Sequence, residues 1–190
     1  MSTELRILPV SGIGEIPAGA DLGLIIYEAL QRQHLRIEHG DVFVVTQKIV
    51  SKAEGRIVHL VEVEASEFAQ SFAQQYNKDP QHIEVVLRES KRIVRMDHGV
   101  LISETRHGFI CANAGVDESN VNGQRALTLL PLDPDRSALT LRQRLQELAR
   151  EGREMVDIAV IISDTWGRPW RNGQVNMAIG VSGMEAIVDY

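Results

Sequence analysis

An α+β fold with mixed, largely antiparallel sheets and flanking helices is predicted by three observations. Strand-like apolar runs gather in neighbouring pairs instead of alternating regularly with helices. Amphipathic helical stretches separate those pairs. No repeat, low-complexity tract or Pro/Ser-rich linker divides the 190 residues, which are therefore read as a single unit over 1–190. A 44% hydrophobic, 24% charged composition suits a globular core.

Residues 5–10 read as a strand, followed by a turn-rich stretch over 11–17 and a helix from about Asp21, whose carboxylate suits an N-cap. Residues 41–50 are β-branched and apolar, a buried strand running into a polar turn at 51–56, with extended character resuming over 57–63. A helix follows at 66–76. Over 80–96 the residues Ile83, Val86, Leu87, Ile93 and Val94 recur at helical spacing and predict one amphipathic helix. Residues 99–103 and 108–116 read as two strands of a hairpin. The stretch 117–134 is rich in Asn, Gly, Asp and Pro and reads as a long functional loop. Residues 137–151 form an amphipathic helix, 156–163 a buried strand emptying into a loop at Asp164, and 177–188 the last strand-like segments.

The net charge of −6 argues against a broad nucleic-acid surface, which needs many Lys and Arg contacts, while leaving room for a local phosphate site. A lone cysteine, Cys111, makes no internal disulfide framework, and with no signal peptide or apolar span the cytoplasm is the expected compartment. The six histidines show no HExxH or Cys/His spacing, so zinc is not expected. Neither a GxxxxGK[ST] loop nor a GxGxxG turn after a strand is present.

Hard divalent cations such as Mg2+ and Mn2+ take oxygen ligands, keep several waters and reach a protein through one or two carboxylates plus substrate phosphate. Asp117 and Asp164 suit that role, since each follows an apolar strand and is followed by oxygen-bearing neighbours, Ser119 and Asn120 or Thr165. An Asp after a strand also serves as an ordinary loop or cap residue, so spacing alone leaves both readings open. Gly167, Pro169 and Gly173 bracket a tight loop carrying Arg168 and Arg171, candidate contacts for a substrate anion, or two incidental surface arginines. Gln47, Lys48 and Lys52 place amide and ammonium groups at a strand end, either a cradle for phosphates or solvated charges. Cys111, inside a strand, reads as core packing, and His107 as a hairpin-tip residue or an anion contact.

Four words carry a resemblance: VSKAEGR at 50–56, ANAGVDESN at 112–120, SDTWGRPWR at 163–171 and AIGVSG at 178–183. In these the sequence resembles the coenzyme F-420 γ-glutamyl ligase family, and the likeness runs from the Gly12 turn almost to the C-terminus. The resemblance implies that family's fold and a GTP-dependent ligation of L-glutamate to the F-420 precursor. A carboxylate is first phosphorylated, and the amine of glutamate then displaces phosphate; further rounds extend a γ-glutamyl tail. It implies Asp117, Asp164 and Thr165 as metal ligands for Mg2+ or Mn2+, and Ile13, Gly14, Glu15, Ile16, Gln47, Lys48, Lys52 and Asn120 as nucleotide-binding positions, Gln47 and Lys48 falling in a variable part of the motif. It further implies dependence on K+ and a homodimer. Family members continue past the point where this chain stops, with later nucleotide and metal contacts and, in some bacterial relatives, a fused nitroreductase-like domain. Two other readings of the same residues are a metal-dependent nucleotide phosphohydrolase and a non-catalytic deazaflavin- or nucleotide-binding module.

Overall fold

The computed structural model describes residues 4–121, 124–150, 156–167 and 172–189. Asp21 begins the first helix, α1 (Leu22–Arg32), its carboxylate accepting from the Leu24 N–H at 2.9 Å. Strand β1 (Val42–Thr46) leads directly into helix α2 (Gln47–Ala53). After β2 (Ile57–His59) and a 3-10 turn over Leu60–Glu62 come α3 (Glu67–Tyr76) and α4 (Pro80–Glu89). Strands β3 (Ser90–Asp97), β4 (Val100–Thr105), β5 (Ile110–Ala112), β6 (Asp117–Val121) and β7 (Gln124–Thr128) follow. Helix α5 (Pro134–Arg150) and strands β8 (Ala159–Gly167) and β9 (Gln174–Ser182) complete the chain.

Among the described residues the strands form three sheets, ordered β1-β8-β9, β2-β7-β6 and β3-β4-β5. Only the β1–β8 pairing is parallel; every other ladder is antiparallel. The fold is α+β with antiparallel sheets and flanking helices, as composition and patterning predict.

Two apolar clusters hold it. In the first, Ile26 and Leu30 of α1, Val50 of α2, and Leu141 and Leu145 of α5 close on Val45, Val160 and Ile162 of the mixed sheet. In the second, Phe72 of α3 and Ile83 and Val86 of α4 pack with Leu101 and Leu127 of the two antiparallel sheets. Full burial of side chains of this size contributes roughly 1.5–3 kcal/mol each. The chain from the end of β7 reaches both clusters: Leu127 of β7 and Leu129 just after it enter the second, whereas Leu130 enters the first.

The boundaries differ from the sequence reading in five places. Residues 5–10 form no regular element; Leu5 and Ile7 are exposed, and no neighbouring strand supplies the ladder an extended segment needs. The strand over 41–50 stops at Thr46, because Gln47 bonds Ser51 one helical turn on and the chain coils. The helix over 80–96 ends at Glu89: Ser90 turns extended and its hydroxyl donates to the Val86 carbonyl. Beyond it β3 is held on β4 by Glu104, which pairs with both Lys91 and Arg92. Within the stretch 117–134, residues 117–121 and 124–128 are not loop but the paired strands β6 and β7, with β7 the central strand of its sheet. Asp164 lies inside β8, opposite Met177 of β9, rather than in a loop after the strand.

Close backbone approach explains the word at 178–183. Gly180 of β9 passes the start of α5 so tightly that a Cβ would lie 2.3 Å from the Pro134 carbonyl oxygen. Asp135 of α5 accepts from the Val181 N–H beside it, at 2.8 Å.

Candidate functional site

Parallel pairing of β1 with β8 ends with Thr46 opposite Ser163, where β1 stops and β8 continues to Gly167 on β9 alone. The carboxyl end of a parallel pair is where open sheets gather ligand-binding groups, because the following segments diverge and leave a crevice. Here α2 leaves β1 carrying Lys48, and Asp164 follows Ser163 directly.

Asp117 reaches the same point from the other side. It follows three successive left-handed residues, Asn113 (φ 51°), Ala114 (φ 53°) and Gly115 (φ 69°), before β6 begins. A non-glycine residue in that region costs about 1–2 kcal/mol and persists where its surroundings require it. Packing does so here: Ala114 is buried, and the Gly115 backbone rides against Leu130. The result aims the Asp117 carboxylate at α2, where its Oδ2 lies 3.4 Å from Lys48 Nζ.

Asp164, like Asp117, is half-buried, and it is held by two donors. Its Oδ1 accepts from the Thr165 N–H at 2.8 Å and its Oδ2 from the Trp166 indole N–H at 3.0 Å. Burial raises its carboxyl above the usual range; those two donors oppose the rise, the charge of Asp117 adds to it and Lys48 lowers it. Asp117, Asp164 and Lys48 are thus electrostatically one group. Cys111 of β5 lies alongside, its thiol pushed up to about 11 by burial and by the Asp164 charge, so it is a packing group rather than a nucleophile.

Lys48 and Lys52 are four residues apart on α2 and share a face. Lys52 forms an ion pair with Glu15, which draws the 13–16 loop against that face, and the Gly19 N–H donates to the Ala53 carbonyl at 2.8 Å. Ile16 is buried and Ile13 packs on the first core cluster, leaving Gly14 and Glu15 exposed beside the lysine. A line of contacts therefore runs from the 13–16 loop along Lys52 and Lys48 to Asp117 and Asp164. Lys48 and Asp117 are both close to half exposed, so their ion pair contributes about 1 kcal/mol or less and readily exchanges for a bound ligand.

Not every expected residue joins this line. Gln47 is buried, its amide donating to Ser51 Oγ at 2.7 Å and the Leu129 carbonyl at 3.0 Å, which fastens α2 to the segment after β7. Thr165 projects from the opposite side of β8 to Asp164, its hydroxyl donating to Asn176 Oδ1 across the ladder at 2.8 Å. Asn120 lies in β6 opposite Arg125, its side chain outside the described residues, as are Arg168 and Arg171 altogether. His107 turns its Nε2 to the Pro131 and Leu132 carbonyls at 2.8 and 3.1 Å instead of to a ligand.

A hard divalent cation fits what is present. Two carboxylates lie within electrostatic reach of each other and of one lysine ammonium, an oxygen-only set of acidic donors. Among the described residues no cluster of three His, Cys, Asp or Glu side chains could hold a metal unaided, so the remaining oxygens would come from water and substrate phosphate.

Residues 12–190 match the family model described as F420-0:Gamma-glutamyl ligase. The chain belongs to this ligase family. It is 46% identical over 185 residues to the Coenzyme F420:L-glutamate ligase of Methanothermobacter thermautotrophicus, covering 97% of this chain and 71% of that protein. The protein of the same name from Methanopyrus kandleri is also 46% identical, over 97% of this chain and 69% of its own length. That of Archaeoglobus fulgidus is 41% identical over 98% and 70%.

Set in this γ-glutamyl ligase family, the four sequence words divide by role. The word at 112–120 holds the strained turn and Asp117, and that at 163–171 holds Asp164 with its indole donor. In the word at 50–56, Lys52 pairs with Glu15 of the 13–16 loop while Arg56 is structural, donating to the Leu130 carbonyl at 2.9 Å and pairing with Glu89. Trp166 is the functional side chain that sequence reasoning passed over. Strand alternation is the signal for it, since residues 164 and 166 share a face once β8 is known to continue past Asp164.

Proposed function

We propose that this protein ligates L-glutamate to the coenzyme F-420 precursor in a GTP-dependent reaction that passes through an acyl phosphate and extends a γ-glutamyl tail. The observation that carries this is the joining of Asp117, Asp164 and Lys48 at the end of the parallel β1–β8 pair, in a member of this ligase family.

A carboxylate is inert to an amine until one oxygen becomes a leaving group, and phosphorylation supplies one. The amine of glutamate then attacks the acyl carbon, the C–N bond forms, the C–O bond to phosphate breaks, and the amine proton is lost to solvent. Lys48 and Lys52 are placed to take phosphate oxygens once a nucleotide displaces Asp117 and Glu15 from them. The 13–16 loop brings backbone N–H groups beside Lys52, where a phosphate or base would lie. Asp117 and Asp164 would hold Mg2+ or Mn2+, which neutralises triphosphate charge as it develops in phosphoryl transfer. Trp166 and the Thr165 N–H fix the rotamer of Asp164 for that role. No residue is assigned to K+ or to the deazaflavin. A homodimer belongs to the same proposal, and light scattering of the purified protein tests it. Among the described residues no helix is long and apolar enough to cross a membrane, in keeping with a cytoplasmic setting.

The test is to incubate the protein with GTP, Mn2+, L-glutamate and the F-420 precursor and follow the precursor by mass spectrometry. A gain of one glutamyl unit, absent without GTP, is expected. Phosphate release that ignores glutamate and precursor would instead assign a nucleotide phosphohydrolase, and binding without turnover a ligand-binding module.

A further inference from the structure

Thr128 is fully buried, and its hydroxyl makes no hydrogen bond among the described residues. Buried hydroxyls are nearly always satisfied, so one left over calls for a partner that another state of the molecule provides.

Its position says which partner. Thr128 is the ladder neighbour of Asp117 across β6 and β7, and residues directly opposite in an antiparallel pair point to the same face with Cβ atoms about 4.5–5.5 Å apart. That face is the one α2 covers. Leu127 and Leu129 point the other way into the second cluster, while Gln47 of α2 bonds the Leu129 carbonyl and Lys48 pairs with Asp117 at the sheet's rim. Asp117 has Lys48 against Oδ2, and its other oxygen accepts no hydrogen bond among the described residues. A donor without an acceptor thus lies beside a carboxylate with acceptor capacity to spare. Both lie between the strained turn at 113–115 and the Gln47 anchor.

We propose that Thr128 is a positioning residue for the metal site: when a cation or phosphate separates Lys48 from Asp117, the carboxylate turns and accepts the Thr128 hydroxyl proton. The turn needs only side-chain rotation of Asp117. It fixes one carboxylate oxygen on threonine and presents the other outward, the usual way in which an outer hydrogen bond orients a ligating carboxylate. The inference rests on the metal role given to Asp117 above.

Manganese titration followed by electron paramagnetic resonance, with thermal melts of the metal-free proteins, tests it in the parent, Thr128→Val, Thr128→Ser and Asp117→Asn. Thr128→Val should bind Mn2+ about tenfold more weakly. Its metal-free melt should be unchanged or higher, since an unsatisfied buried hydroxyl is replaced by a methyl of the same shape. Thr128→Ser, which keeps the donor, should bind as the parent does. A purely structural threonine would give the opposite pattern, a lowered melt with parental affinity, and that would overturn the proposal. So would Thr128→Ser losing as much affinity as Thr128→Val. If the parent takes up no Mn2+, or Asp117→Asn binds as the parent does, the metal role of Asp117 itself falls, and this inference with it.

Discussion

Glu84 ties two helices together with one carboxylate. It accepts from the Ser66 hydroxyl at 2.6 Å, the Ser66 N–H at 3.1 Å and Arg88 Nε at 2.9 Å, while Ser66 caps α3. These bonds, those from Ser66 foremost, hold its carboxyl below the ordinary range despite an opposing effect of burial. A carboxyl depressed by folding contributes stability that is fully present above its unfolded value and is lost as pH falls through the folded one. Glu84→Gln is therefore expected to cost about 1 kcal/mol at pH 7. In urea denaturation the gap should shrink once the pH drops below the ordinary carboxylate value of about 4.3. A gap equal at neutral and acid pH would show that shape, not charge, is at stake. None of this is visible in the sequence, because Ser66 and Glu84 meet only after α3 and α4 pack together. Asp21, by contrast, was legible, since a helix cap is a local event.

At the scale of elements, the turn at 113–115 sets the direction of Asp117. Gly115 sits at φ +69°, and a Cβ there would lie 2.9 Å from Leu130 Cδ1. Gly115→Ala is expected to destabilise the fold by about 2 kcal/mol, combining left-handed strain with overpacking. Because the displaced segment ends at Asp117, manganese affinity should fall with it. Guanidinium denaturation and metal titration of the one variant check both, and a loss of stability with parental metal affinity would detach the turn from the site. The elements misread from sequence share one cause: long-range partners chose among local options. Ile93 and Val94 extend a helical spacing begun at Ile83, yet Glu104, on another strand, holds Lys91 and Arg92 in an extended chain. The polar run from Asp117 looks like a loop because only β2, paired on β7, and α2, fastened to the segment after it, reveal what its residues cover. A local signal was present there, Asn122 followed by Gly123, the dipeptide favoured in tight hairpins.

For the whole molecule, the site is a meeting of four segments. The loop at 13–16, helix α2 and the acids of β6 and β8 are brought together by one parallel ladder and two ion pairs. Sequence words identified most of these residues, since each word is local, but not their division of labour. Gln47 lies among polar residues at a strand end yet is a core anchor, and Thr165 follows Asp164 yet projects to the other side of β8. Only the folded chain separates Lys48 and Lys52, which pair with Asp117 and Glu15, from Arg56, which braces the segment after β7. In the function proposed above, Asp117 and Asp164 act together on a nucleotide-bound divalent cation. Calorimetric titration of Mn2+ into the protein with a non-hydrolysable GTP analogue, for the parent and Asp164→Asn, measures that cooperation. The variant is expected to stay folded and to lose more than about tenfold in Mn2+ affinity; parental affinity in a folded Asp164→Asn protein would contradict the pairing.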